Sequence, residues 1–251
     1  MKTRRKTPVT LDASGIHYRD LNARMRQLAA DGVDRVRMLN LYGQRYIGSD
    51  LEQPMEIEIH GTPGNDLGAF LNGSRIVVYG NAQDGSGNTM NDGEIVVHGR
   101  AGDITGLAAR GGKIFVRDGV GYRTGIHMKE YGDKKPLIVI GGTAQDFLAE
   151  YMAGGTLILL GLDLADGRHQ TSFVATGMHG GVVYIRGQVE EHQLGREVGL
   201  AELDEADHAA LERYVGEFAA HFGHDTDEIL DADFIKLYPR WLRPYGQLYS
   251  Y

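Results

Sequence analysis

A repeat of about nineteen residues constrains this chain more than any other feature. Short apolar runs end at a glycine-type position again and again: Leu39–Gly43, Ile57–Gly61, Ile76–Gly80, Ile95–Gly99, Ile114–Asp118, Leu137–Gly141, Leu157–Gly161 and Val183–Gly187. Their end-to-end spacings are 18, 19, 19, 19, 23, 20 and 26 residues. Three nineteens in succession mark a structural repeat. Within each run the pattern has period two, the signature of a strand. The expected inward face carries Leu39/Leu41, Ile57/Ile59, Ile76/Val78, Ile95/Val97, Ile114/Val116, Leu137/Val139, Leu157/Leu159 and Val183/Ile185, all of them aliphatic.

Other columns keep the same register. Gly68, Gly87, Gly106 and Gly125 are nineteen apart, and Leu71, Met90, Ala109, Met152 and Met178 form a second apolar wall. Glycine reaches 36 of 251 residues while proline is only 6, so the excess belongs to turns and not to a collagen-like or disordered chain. The turn glycines expected to be structural are Gly61, Gly68, Gly80, Gly87, Gly99, Gly106, Gly125, Gly141, Gly155, Gly161 and Gly181. They answer two needs, a sharp turn with positive φ and close stacking of one coil on the next. Asn72, Asn91 and Asp92 tolerate the same backbone region. A strand, a bend, a second wall and a return, repeated in register, make an all-β solenoid. The expectation is a right-handed parallel β-helix of about eight coils, stacked at ~4.8 Å per coil.

Both flanks read as helical caps. Tyr18–Ala30 is helix-like and closes at Gly32, and Asp204 starts a second helix with Asp207 in its first turn. Leu211, Tyr214, Val215, Phe218 and Phe222 fall at helical spacing before Gly223, and a short helix follows near Thr226. Phe234 to Tyr251 reads as an extended aromatic arm that docks on its own solenoid or on a partner. The expected organisation is therefore a tail and capping helix at 1–34, the β-helix at 35–190, and a helix with a docking arm at 191–251.

Composition removes several functions. The formal net charge is -8, which opposes nucleic acid and anionic membranes. The basic run Lys2, Arg4, Arg5, Lys6 is short and reads as a solvated tail. No membrane span or signal peptide is expected, and a cytoplasmic location fits. The chain has no cysteine, so it offers no disulfide, no Cys-ligated cluster and no cysteine nucleophile. Among the ten histidines, His60 and His98 share an outward column with Tyr79 and Arg117, but at two coils' separation they read as a solvated ladder, not as metal ligands. Gly119-Val-Gly121-Tyr-Arg-Thr-Gly125 is one residue too long for a dinucleotide fingerprint and reads as coil turns. Asp66, Asp84 and Asp103 would suit polysaccharide cleavage as paired carboxylates, yet turn chemistry alone accounts for them. No catalytic, cofactor-binding or metal residue is expected.

An outward stripe points to partners. The outward positions Val77, Val96, Phe115, Ile138, Ile158 and Tyr184 are apolar, and a monomer would not leave such a stripe bare. The helix at Leu211–Phe222 has a matching face and is the first expected cover; a partner is the other. Two insertions, Gly119–Pro136 and Leu162–Phe173, are expected as contact loops. Candidate partner contacts are Phe115, Tyr184, Tyr238, Trp241, Arg243, Tyr245 and Tyr249, since aromatic and arginine side chains dominate binding hot spots.

Gly64-Asn-Asp-Leu-Gly-Ala-Phe70, the Asn-Asp-Gly before Glu94, and Glu150-Tyr-Met-Ala-Gly-Gly-Thr156 resemble the GXGXG β-helix domain over roughly residues 35–190. That domain closes the large subunit of glutamate synthase, and similar domains stand alone in split glutamate synthases and in N-methylglutamate synthase. Asn40-Leu-Tyr-Gly-Gln-Arg-Tyr-Ile-Gly48 and the tail resemble the stand-alone type. The resemblance implies a non-catalytic scaffold that organises a glutamine amidotransferase-like subunit and an FMN-binding, iron–sulfur synthase-like subunit, with the cofactors in those partners. Three alternatives stay open: a scaffold similar to the β-helical subunit of formylmethanofuran dehydrogenase or of a formyltransferase/hydrolase complex, a polysaccharide-active β-helix enzyme, and a homo-oligomer.

Overall fold

The computed structural model describes residues 7–51 and 53–241. The chain folds as a parallel β-solenoid of about six turns with little helix. Nine strands pair in sequence order and in parallel: β1 (Val9–Asp12), β2 (Arg35–Tyr42), β3 (Glu56–Thr62), β4 (Asn72–Val78), β5 (Asp92–Val97), β6 (Lys113–Val116), β7 (Leu137–Ile140), β8 (Ala153–Leu159) and β9 (Gly180–Arg186). Then β10 (Val198–Ala201) and β11 (Phe234–Pro239) close the sheet, with β11 antiparallel to both β9 and β10. The eight apolar runs are the strands β2 to β9. The solenoid winds about six turns, fewer than the about eight coils expected.

The nineteen-residue register becomes direct pairing: Ile57↔Ile76↔Ile95↔Ile114 and Ile59↔Val78↔Val97↔Val116 stack through the inner core. Two inward pairs differ from the expected ones. In β7 the inward residues are Ile138 and Ile140, paired with Ile114 and Val116, and Leu137 and Val139 point outward. The run Leu-Ile-Val-Ile has no alternation to read, and the preceding insertion interrupts the count; pairing with β6 sets its face. In β2 the inward residues are Val36, Met38 and Leu41, with a bulge between Leu39 and Leu41 where Asn40 takes φ 58°. The bulge inserts a residue and turns Leu39 away from the core.

Helix α1 (Tyr18–Ala30) joins the inner core through Leu21, Met25 and Ala29. Helix α2 (Glu205–Phe222) has the expected ends, a capping box between Asp204 and Asp207 and a left-handed Gly223. It does not cap the solenoid end. Its Leu211, Val215 and Phe218 lie on the outer sheet face against Val96, Phe115, Val139, Ile158 and Tyr184. The strand β11 is what covers β9, and the short helix α3 (Thr226–Leu230) adds Ile229 to the outer cluster.

Candidate interaction surfaces

The outward apolar stripe is covered by the chain itself. Phe115, Val139 and Ile158 are fully buried, and Tyr184 is 3% exposed. A polar lock fixes α2 there. The buried Asp207 carboxylate accepts from Tyr184 Oη at 2.6 Å and from Lys236 Nζ at 2.6 Å, tying the helix to β9 and β11. Burial alone would raise the Asp207 carboxyl, but the Lys236 and Tyr184 hydrogen bonds outweigh it and hold it at about 2. Burial, reinforced by Asp207, pushes the Tyr184 phenol up. Phe115 and Tyr184 therefore offer no surface to a partner.

Beyond α2 the outer face of β2 to β5 is polar. Arg35 pairs with Glu56 at 3.0 Å, Arg37 with Glu58 at 2.7 Å, and Arg75 with Glu94 at 2.6 Å. His221 at the end of α2 reaches Glu94 at 3.5 Å. Burial opposes the Glu94 charge, yet hydrogen bonds from His221 and Arg75 prevail and lower its carboxyl to about 2. Beside this ladder His60, Tyr79 and His98 stack at 4.8 and 5.1 Å, and Phe222 closes the column edge-on to His98. The histidine column is thus a ring ladder. Among the described residues no group of three or more His, Cys, Asp or Glu is placed to hold a metal ion.

The turns hold the feature that the sequence conceals. Three alternate residues in each turn lie in the left-handed region, with φ between +49° and +76°: Asp66/Gly68/Phe70, Gly85/Gly87/Thr89, Ile104/Gly106/Ala108, Arg123/Gly125/His127, Phe147/Ala149/Tyr151 and Phe173/Ala175/Gly177. In the first five triplets the outer two donate forward to a carbonyl of the next coil, as Ile104 N does to Tyr122 O at 2.7 Å; in the sixth, Gly177 N donates to the Glu197 carboxylate at 3.1 Å. The middle one donates back, as Gly106 N does to Ser86 O at 2.7 Å. This alternation lets a bend keep a coil-to-coil ladder.

Gly68, Gly87, Gly106 and Gly125 occupy the middle column, where an added Cβ would also meet the tip of an inward Ile or Leu. Gly155 and Gly181 likewise have φ of 87° and 81°. Gly80, Gly99 and Gly141 show no positive φ; their side-chain space is taken by a carbonyl oxygen of the preceding coil, at 2.9, 2.7 and 2.1 Å. Of the expected pair of reasons, stacking alone explains those three. Gly61 combines both, with φ of 136° and Leu41 O of the preceding coil at 2.4 Å, whereas Gly161 has φ 56° and its side-chain space is taken by the His169 ring and Leu164.

The turn aspartates work as hydrogen-bond acceptors. Asp84 Oδ1 accepts from Asp103 N and Asp103 Oδ1 from Tyr122 N, both at 2.9 Å, and Asp146 Oδ1 accepts from Ser172 N at 2.8 Å. In the later turns run two further columns that the repeat does not reveal, half-buried at Phe147 and exposed at Arg123, His127, Tyr151 and Phe173. Arg123 lies over the Phe147 ring at 4.7 Å, and Phe147 stacks on Phe173 at 4.8 Å. Across the turn His127 stacks on Tyr151 at 5.4 Å. The spacings 123–147, 147–173 and 127–151 are 24, 26 and 24 residues, so the insertions hide these columns from a nineteen-residue comparison. Their marker is position: each sits two residues from Gly125 or from the alanine that replaces it.

Both insertions are tied to the solenoid. The first closes on itself with a bridge between Tyr131 and Lys134 and reaches β5 through Lys134 Nζ and the Asp92 carboxylate at 3.2 Å; the second bridges Arg168 to Gln188, with His169 buried and bonded to Arg186 O. In the arm, Tyr238 is 40% and Trp241 64% exposed. Arg243, Tyr245 and Tyr249 lie outside the described residues. Among the described residues no helix is long and apolar enough to cross a membrane.

Comparison with known proteins matches residues 34–243 to the family model described as GXGXG motif. An uncharacterized protein of Methanocaldococcus jannaschii is 45% identical over 251 residues, covering 96% of each chain.

Proposed function

The chain belongs to the GXGXG motif family, and from that membership we propose that it is a scaffold subunit of a glutamate synthase-type complex. In this reading it holds a glutamine amidotransferase-like subunit and an FMN-binding, iron–sulfur synthase-like subunit in fixed relation, in the cytoplasm, and catalyses nothing by itself. The family match carries the reading, because it spans the solenoid and continues through α2 and β11. The absence of cysteine agrees with it, since neither a cysteine nucleophile nor a Cys-ligated cluster can reside in this chain. A solenoid stabilised by neighbour contacts suits a spacer, because the surfaces that α2 does not cover are not needed to hold the coils together.

The test is reconstitution. The purified chain should be colourless and inert toward glutamine and 2-oxoglutarate. Mixed with an amidotransferase-like and an FMN-binding protein from the same source, it should raise glutamine-dependent glutamate formation and co-elute with both. Stoichiometric flavin with turnover by the lone chain, or no co-elution with either protein, would defeat the reading.

A further inference from the structure

We infer that the groove between α2, α3 and the start of β11 docks a partner segment in which lysine or arginine flanks large apolar side chains. The inference does not depend on the identity of the complex proposed above.

The first support is the distribution of charge. Residues 202–233 hold eleven Asp and Glu against the single cation Arg213, a net charge of -10. The rest of the chain, with 23 acidic and 25 basic residues, is net +2. The acidity of this protein is therefore a property of one lobe and not of its whole surface. The fold uses part of it. Asp204 and Asp207 hold Lys236, Glu217 holds Lys113 and Arg213, and Asp225 caps α3. Glu202, Glu212, Asp227 and Asp233 are exposed, and their carboxylates have no hydrogen bond or ion pair among the described residues. Like charges gathered in this way repel one another, and they stabilise nothing in the fold that would offset the repulsion.

The second support is shape. These same four carboxylates line one cavity of about 560 Å³, and its apolar lining includes Leu203, Leu230 and Phe234. No Lys or Arg lines it. The volume falls within the ~300–1,000 Å³ typical of binding pockets. The three apolar side chains are half-buried and rest on the outer cluster around Leu211 and Ile229, so the floor is formed by the fold itself. An apolar floor between unpaired carboxylates is complementary to apolar side chains flanked by cations. A bare metal ion does not fit, because among the described residues no three His, Cys, Asp or Glu are placed to hold one. Nucleic acid and anionic lipid would be repelled. A two-fold contact between copies would set this lobe against itself.

The probe is a fluorescently labelled twelve-residue peptide that alternates lysine with leucine or phenylalanine, measured by anisotropy on the full chain at physiological salt. Two counterparts replace its lysines by glutamate or its apolar residues by serine. The first peptide should bind at least tenfold more tightly than either counterpart. Glu202→Gln/Glu212→Gln/Asp227→Asn should lose about tenfold in affinity while its melting temperature holds or rises. Asp20→Asn/Asp133→Asn/Glu191→Gln makes the same change in net charge at exposed positions outside the groove, and it should bind almost as the parent does. Leu203→Ala/Leu230→Ala should also lose about tenfold. The inference fails if the three peptides bind alike or not at all. It fails if the two charge variants weaken binding equally, because net charge and not the groove then attracts the peptide. Normal binding by the leucine variant would remove the groove from the account. A dimer in light scattering that dissociates in the groove-charge variant would make a second copy, through its basic run Lys2, Arg4, Arg5 and Lys6, the occupant and overturn the inference as well.

Discussion

Substituting Gly106 by alanine tests the reasoning about the turns most directly. Gly106 has φ 72°, and a Cβ there would lie 2.3 Å from Ile138 Cδ1, 3.4 Å from its Cγ1 and 3.6 Å from Ile114 Cδ1. Two costs add. The left-handed conformation costs alanine about 1 kcal/mol or somewhat more. The clash cannot be relieved by a flexible surface side chain, since Ile138 is fully buried, and overpacking a core typically costs about 1–3 kcal/mol. Gly106→Ala should therefore lose roughly 2–5 kcal/mol, a large part of the about 5–15 kcal/mol that stabilises a domain. Ile138→Val removes Cδ1, the clashing atom, and alone costs about 0.5–1.5 kcal/mol. In the double variant the remaining nearest contact is the ordinary one to Cγ1, so only the conformational cost persists. The pair should be better than additive by about 1–3 kcal/mol. Ala149 and Ala175 show that the column accepts a Cβ where the neighbours allow it, at φ 58° and 56°. Denaturant unfolding of the four proteins, followed by circular dichroism, measures the cycle. Additivity within about 0.5 kcal/mol would refute the clash and leave backbone strain as the whole explanation.

Other expectations can be checked on the same protein. Ile95→Asp buries an unpaired carboxylate between Ile76 and Ile114, costing several kcal/mol; it should yield insoluble or unfolded protein, and a soluble variant with a cooperative melt would contradict the inward assignment. Glu94→Lys is not benign, because it places a cation beside Arg75 and His221; its melting temperature should drop, whereas Glu94→Gln should lose less. The lowered Asp207 carboxyl stabilises the fold above its ordinary value of 3.8, and this contribution disappears as pH falls toward about 2. The unfolding midpoint should therefore fall across that interval, and Asp207→Asn should be less stable at neutral pH with a flatter acid limb; parallel acid limbs would exclude the lock. Phe218→Ala opens the fully buried contact between α2 and the stripe and should cost about 3–5 kcal/mol, with increased binding of a hydrophobic dye.

The period and the alternation were legible in the residues because both are local. Nineteen residues return the chain to the same place, so Ile57, Ile76, Ile95 and Ile114 had to stack, and Asp204 and Gly223 marked the ends of α2 by capping chemistry alone. The face of β7 was not legible, because four aliphatic residues in a row carry no period and an insertion breaks the count; only pairing with β6 decides that Ile138 points in. The cover of the stripe was decided in three dimensions too, since α2 is separated from Phe115 by about ninety residues of sequence and lies along the sheet instead of across its end. Least legible of all were the left-handed columns. Phe147, Tyr151 and Phe173 look like ordinary aromatics in a sequence, because nothing in a side chain's identity reports the φ its neighbours impose. That angle follows from the coils above and below, whose carbonyls demand N–H groups pointing alternately forward and back.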